Sequence, residues 1–283
     1  MSKYAEHIQY SIDLLRRAER LALKMQPEKG FWLAFSGGKD SQCIYHLAKL
    51  AGVKFEAHYA VTTLDHPELV RFIRRCYPDV IWDHPKRTFL QLCIYKKMLP
   101  TMQARFCCQE LKESAGAGCC TIIGVRKAES SRRAKREELE RVHKDKAKRK
   151  SLELNEMEEQ DFQCVGGKDK ITLSPILHWT DEQVWDFLNN VVKVEHCELY
   201  DQGYHRLGCM FCPMSSIKSI RKDETRFPKW KENIVKTIHQ LRENGFAHDY
   251  PDLSDEEIYE WWVSKRNMKE WYYELKYQGK LWD

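Results

Sequence analysis

Two places in this sequence carry residue types at a spacing that does chemistry. Residues 36–41, Ser-Gly-Gly-Lys-Asp-Ser, lie between the apolar run GFWLAF and the helix-like QCIYHL. A glycine pair between a strand and a helix lets the backbone turn tightly and aims free N–H groups at one point, where the helix dipole favours an anion. Lys39 adds a full positive charge, and Ser36 and Ser41 add hydroxyl donors, so phosphate or sulfate is the natural occupant. The spacing is not that of a Walker A loop, which argues against ordinary γ-phosphate transfer. The second place is Cys209-Met-Phe-Cys212, a knuckle whose flanking Gly and Pro direct both sulfurs to one side, together with the adjacent pair Cys107-Cys108 about a hundred residues earlier. Two thiolates from each make a four-cysteine site, suited to a [4Fe–4S] cluster or to zinc, since both take soft, deprotonated sulfur. Spacing alone does not separate the two.

The elements that must hold these groups alternate along the chain. An amphipathic helix over residues 1–26 carries Ile8, Ile12, Leu15, Ala18 and Ala22 at three-four spacing. GFWLAF then reads as a buried strand, followed by the glycine turn and a helix over about 39–50. KFEAHYAVTT is a second strand, HPELVRFIRRCY a helix with Pro in its first turn, and DVIWDHP a third strand. A helix around 90–97 and the strands GCCTIIGV and KITLSPI continue the pattern. Such alternation predicts an α/β, Rossmann-like, mostly parallel sheet flanked by helices, with ligands outside the carboxyl ends of the strands. WTDEQVWDFL opens a helix with a capping box from Thr180 to Gln183. Residues 127–169 contain no strand-like apolar run and read as a charged insertion, either a long helix with a loop or a partly disordered lid. The expected organisation is an N-terminal helix at 1–26, a nucleotide-binding domain with the cysteine site at 27–215, and a tryptophan-rich α-helical region at 216–283.

Composition narrows the class. Hydrophobic content of 42% and charge of 31% describe a soluble globular chain, and no run of about 18 apolar residues is present to span a bilayer. The N-terminus reads as a helix rather than a signal peptide, so a cytoplasmic location is expected. Eleven cysteines, an odd number, fit metal binding or reactivity better than a disulfide framework in a reducing compartment. The net charge is +5, yet residues 126–150 hold twelve Lys/Arg against five Asp/Glu, or +7. That local excess suits a polyanion contact.

Together, SGGKDS, RFCCQELKE, IIGVRKAESSRR, LSPILHWTDEQVWDFL and LYDQGYHRLGCMFCPM resemble, in order, the motifs of the phosphoadenosine phosphosulfate (PAPS) reductase and DndC-like family of the PP-loop adenine nucleotide α-hydrolase-like (HUP-type) superfamily. The resemblance covers roughly residues 30–215. It implies an adenine nucleotide, ATP or PAPS, with phosphates or sulfate on Ser36, Gly37, Gly38, Lys39, Asp40 and Ser41, and the adenosine near VTTLD, with Thr62 and Asp65. Gly124, Arg126 and Arg133 match the family's second phosphate-side motif, and an arginine fork just past a strand end independently suits paired phosphate oxygens. Lys39, Asp40 and Arg126 are the expected catalytic groups. Related adenosine phosphosulfate (APS) reductases use a Cys-Cys pair plus a CxxC for a [4Fe–4S] cluster, which favours iron and sulfur over zinc here. Family members of the DndC-like kind also carry a cysteine at the place of Cys197, so Cys107, Cys108, Cys197, Cys209 and Cys212 compete for four positions.

Three activities follow from this. In an ATP-dependent, adenylating sulfurtransferase, ATP binds with Mg²⁺, Lys39 stabilises the departing pyrophosphate, and a sulfur donor such as a cysteine desulfurase feeds the acceptor, with nucleic acid a candidate acceptor for the basic segment. In a sulfonucleotide reductase a thiolate attacks the sulfuryl sulfur, but the ECGxH motif of family reductases is missing, since no cysteine follows Cys212. The third is a non-catalytic iron–sulfur protein that binds or senses nucleic acid.

Overall fold

The computed structural model describes residues 4–113, 115–142, 150–152 and 170–277. The chain divides into two compact units, the first made of residues 1–61, 66–84 and 114–208 and the second of residues 62–65, 85–113 and 209–283.

In the first unit the alternating pattern becomes a sheet. β1 (Phe31–Phe35) buries Phe31, Leu33 and Phe35 on one face, the period of two that a strand imposes. It pairs in parallel with β2 (Phe55–Ala60) on one side and β4 (Cys120–Ile122) on the other. β3 (Ile81–Asp83) and β7 (Lys170–Leu173) extend the sheet outward in parallel from β2 and β4. β5 (Leu139–Val142) and β6 (Lys150–Ser151) add an antiparallel edge, giving the order β3-β2-β1-β4-β7-β5-β6. Helices α1 (Ala5–Met25), α2 (Lys39–Ala51), α3 (Pro67–Cys76) and α6 (Asp181–Asp186) belong to this unit. The connections run one way from β1 to β2 and the other way from β1 to β4. β1 and β4 therefore flank the topological switch point, where the loops after both strands face one crevice.

The expected mostly parallel α/β architecture is present. The antiparallel edge differs from the reading of 127–169 as strandless, for a physical reason. LERV has two apolar residues, and what makes it a strand is pairing, Leu139 to Leu173 through Val142 to Lys170, not its own pattern. Residues 143–149 and 153–169, most of the charged insertion and Cys164, lie outside the described residues.

The second unit is helical: α4 (Phe89–Lys96), α5 (Phe106–Cys108) continuing as a π turn (Gln109–Glu113), α7 (Ile217–Arg226), α8 (Pro228–Glu243), α9 (Asp255–Ser264) and α10 (Met268–Tyr277). Its core gathers Leu64, Phe89, Leu99, Phe211, Ile238, Tyr259 and Trp262. Trp230, Trp261, Trp262 and Trp271 pack in or against this core, and the Trp262 indole donates to the Pro100 carbonyl at 2.6 Å. The expected boundary near residue 215 moves, because the segment carrying Cys107 and Cys108 and the knuckle of Cys209 and Cys212 condense with the C-terminal helices rather than with the sheet. No helix among the described residues is long and apolar enough to cross a membrane.

Candidate functional site

The loop after β1 is shaped by its glycines. Gly37 has φ +71, and a Cβ there would stand 2.6 Å from Leu69 Cδ1, so only glycine fits the turn. Gly38 is the N-cap of α2 and has no side chain to cap it. The Tyr200 hydroxyl does so instead, accepting the Lys39 N–H at 2.8 Å. Burial pushes the Tyr200 phenol up, so it stays protonated and can still donate. Ser41 donates to the Gly38 carbonyl at 2.8 Å, and Ser36 donates to Ser41 at 3.2 Å. Below the loop, Gln42 Nε2 holds the Gly37 carbonyl at 3.2 Å and Gln42 Oε1 accepts from Tyr77 at 3.1 Å.

Over this loop four charges form a closed ring. Lys39 Nζ lies 3.2 Å from Asp40 Oδ2, and Asp40 Oδ1 accepts from Arg126 Nε at 2.7 Å. Arg126 Nη2 donates to Asp181 Oδ1, and that same oxygen lies 3.3 Å from Lys39 Nζ. Arg126 Nη1 also reaches the Trp179 carbonyl at 3.3 Å. Burial pulls the Arg126 guanidinium down, but Asp40 and Asp181 outweigh it and the net shift is upward. For Asp181, burial pushes up, yet Lys39 and Arg126 hold the carboxyl below its usual range. Gly124 is required by this ring: a Cβ there would be 3.0 Å from the Asp40 carbonyl carbon and oxygen. Arg133 stands behind, ion-paired to Glu129, whose carboxylate also accepts the Arg126 N–H at 3.0 Å.

The structure thus brings together Ser36, Gly37, Gly38, Lys39, Asp40, Ser41, Gly124 and Arg126, with Arg133 held to them through Glu129. Sequence reasoning missed Asp181 and Tyr200. Both sit inside the family-like motifs, Asp181 directly after the helix cap and Tyr200 in LYDQGYHRLGC. Thr62 and Asp65 belong to the second unit. Asp65 closes its own turn there, accepting from the Thr62 N–H at 2.8 Å and the Thr62 hydroxyl at 2.7 Å, and it bridges to Cys209.

In the second unit a small pocket is lined by Cys107, Cys108, Cys209 and Cys212, with Thr62, Phe89 and Lys112. The knuckle is fastened at several points. The Met210 N–H donates to the Leu64 carbonyl at 2.8 Å, and Phe211, at φ +50, donates its N–H to the buried Asp223 carboxylate at 3.0 Å. The Ser215 N–H returns to the Cys212 carbonyl at 2.9 Å, and Lys265, the residue that ends α9, donates to the Ser215 carbonyl. The four thiols interact. Cys107 donates to Cys108, whose thiol is drawn down to about 6 by that hydrogen bond, with Lys112 and Arg105 adding to it against burial. Cys107 is pushed up by the same bond and by burial, and Cys212 is pushed up by burial. Lys112 follows Cys108 by one helical turn. Lys112 is an exposed residue that also lines the pocket. There burial lowers its pKa, but Cys209, Asp65 and Cys108 reverse this to a net rise. Sequence reasoning missed Lys112, although its i, i+4 spacing from Cys108 was a visible signal.

Cys197 is not among the residues that line this pocket. It belongs to the first unit, fully buried in its apolar core, and burial raises its thiol. Among the described residues no group of three or more His, Cys, Asp or Glu is arranged to hold a metal ion.

Residues 30–215 match the family described as the phosphoadenosine phosphosulfate reductase domain. An uncharacterized protein of Methanocaldococcus jannaschii is 24% identical over 233 residues, covering 77% of this chain and 44% of that one. The phosphoadenosine 5'-phosphosulfate reductase of Xanthomonas campestris pv. campestris is 28% identical over 220 residues, covering 76% of this chain and 85% of that one. A probable FAD synthase of Schizosaccharomyces pombe is 26% identical over 197 residues, covering 65% and 60%. The crystal structure of PAPS reductase from Candida auris, a phosphate complex, aligns with a TM-score of 0.44 at 16% identity, covering 74% of this chain and 97% of that one. The chain spans about half the length of the archaeal relatives it matches, 44% and 48%.

Proposed function

On the premise that this chain belongs to the phosphoadenosine phosphosulfate reductase domain family, which matches residues 30–215, we propose that it is an ATP-dependent, adenylating sulfurtransferase with a [4Fe–4S] cluster on Cys107, Cys108, Cys209 and Cys212. The observation that carries this is the convergence of four thiols from two distant segments on one pocket. Four thiolates suit either zinc or an iron–sulfur cluster, and the resemblance to APS reductases, which hold a [4Fe–4S] cluster on a Cys-Cys pair and a CxxC, supports iron and sulfur. Such a cluster would supply a soft site able to carry sulfur.

At the loop, the backbone N–H groups of Gly37, Gly38, Asp40 and Ser41 bind the phosphates of ATP, which brings Mg²⁺ as its counter-ion, while the Lys39 N–H stays on Tyr200 and the hydroxyls of Ser36 and Ser41 hold the loop in shape. An acceptor oxygen attacks the α-phosphorus and pyrophosphate leaves. Lys39 stabilises the charge on the departing group and Arg126 holds it through Asp40. A sulfur nucleophile, delivered by a donor such as a cysteine desulfurase, then displaces AMP from the acceptor. The +7 excess in residues 126–150 supports a polyanionic acceptor such as nucleic acid.

A second activity, reduction of PAPS or APS, is favoured by the reductase name of the Xanthomonas relative. It needs a low-pKa thiolate at the sulfuryl group, and Cys108, whose thiol is drawn down, is committed here to the four-cysteine pocket. Anaerobic purification with iron and sulfide analysis, followed by incubation with ATP and separately with PAPS plus a dithiol reductant, tests both. About four irons per chain and release of pyrophosphate are expected. Sulfite from PAPS without pyrophosphate from ATP would establish the reductase, and binding to nucleic acid without turnover of either would establish a sensor.

A further inference from the structure

The four charges of the ring are not equally held. The side chains of Lys39, Arg126 and Asp40 are 9%, 3% and 22% exposed, whereas that of Asp181 is 69% exposed. Arg126 is also tied to the Trp179 carbonyl, and Asp40 accepts from Arg126 Nε at 2.7 Å. Asp181, on the first residue of a six-residue helix, is the one member that can swing into water without moving the backbone of the loop. Its departure would leave two buried cations facing one anion. Its single oxygen Oδ1 meets both Lys39 Nζ and Arg126 Nη2, the arrangement a phosphate or sulfate oxygen takes between an ammonium and a guanidinium.

We infer that the Asp181 carboxylate is an internal placeholder for the ligand's oxyanion, occupying the subsite between Lys39 and Arg126 until a phosphate or sulfate group displaces it. This rests on the proposed binding of a nucleotide by its phosphates at residues 36–41, and it names the residue that sets the affinity of that site. With Asp181 in place the ring is neutral, so two buried cations are never left uncompensated. The ligand must outcompete a carboxylate. A dianionic phosphate or sulfate does so through more charge and more acceptor oxygens, whereas a monoanionic carboxylate gains nothing over the residue already there. The apparent affinity equals the intrinsic affinity multiplied by the fraction of molecules in which Asp181 has left.

The test is calorimetric titration of the full chain with inorganic pyrophosphate. Asp181→Asn keeps the size of the side chain and removes its charge, and Asp181→Ala removes the group altogether. Both are expected to bind pyrophosphate about tenfold more tightly than the parent chain. Glu182→Gln, on the same turn, controls for general charge and is expected to change affinity by less than roughly twofold. Unchanged or weaker binding in both Asp181 variants would overturn the placeholder role, as would an equal gain in Glu182→Gln. Lys39→Ala separates this from the nucleotide site itself. If Lys39→Ala loses pyrophosphate and the Asp181 variants gain nothing, only the placeholder falls. If Lys39→Ala binds as well as the parent, the proposed phosphate site falls with it.

Discussion

The hydroxyl of Tyr200 accepts the backbone N–H of Lys39 at 2.8 Å across 161 positions of sequence, capping a helix whose own N-cap is a glycine. The ring of Tyr200 meanwhile packs edge-on against Trp185 at 5.0 Å. Tyr200→Phe keeps that packing and removes the cap. It is expected to destabilise the protein by about 1 kcal/mol in urea unfolding, the usual loss for an N-cap acceptor. A loss within error of zero would show that water replaces the hydroxyl without penalty.

Gly124 is where the second phosphate-side motif touches the loop. A Cβ 3.0 Å from the Asp40 carbonyl presses on the backbone of α2 that carries Asp40, and through it on the Asp40 bond to Arg126. Gly124→Ala is expected to cost about 1–3 kcal/mol of stability and to weaken ATP binding by more than about tenfold. Calorimetry and urea unfolding together check this, and normal ATP affinity would contradict it.

The cysteines divide by unit. Serine in place of Cys107, Cys108, Cys209 or Cys212 is expected to lower iron well below about four per chain after anaerobic reconstitution. Cys197→Ala, in the core of the first unit, is expected to retain the iron of the parent chain while losing about 1 kcal/mol of stability. Iron analysis with the absorption spectrum decides between them, and loss of iron in Cys197→Ala would return that residue to the ligand set.

His46 gives a pH dependence. Burial above all, helped by the Lys49 charge, lowers its imidazole from 6.5 to about 4 in the folded chain. Between those values the unfolded chain binds a proton that the folded chain does not, so stability falls as pH drops from about 6.5 toward 4. The imidazole Nε2 lies 3.1 Å from the Tyr77 hydroxyl, which supports Gln42 beneath the loop. His46→Gln is expected to remove about 2 kcal/mol of that pH-dependent loss, read from urea midpoints across the window. An unchanged slope would assign the pH dependence elsewhere.

The sequence by itself determined what depends on neighbours along the chain. The strand, glycine turn and helix of residues 31–51 were legible because a buried strand must alternate and a turn at positive φ must be glycine. The Thr180 capping box was legible for the same local reason, and so was the pairing of a CxxC with a distant Cys-Cys. What only the tertiary structure decided depends on groups meeting across large separations. Asp181 completes a charge ring begun 141 positions earlier by Asp40, and no periodicity announces that a surface carboxylate will close it. The strand LERV exists because β7 offers it an edge, not because its pattern demands one. Cys197 and Cys209 are twelve residues apart in the chain, yet the first is packed into the sheet's core and the second condenses with the C-terminal helices. Burial against one core or another is a property of the whole folded unit, and spacing carries no record of it.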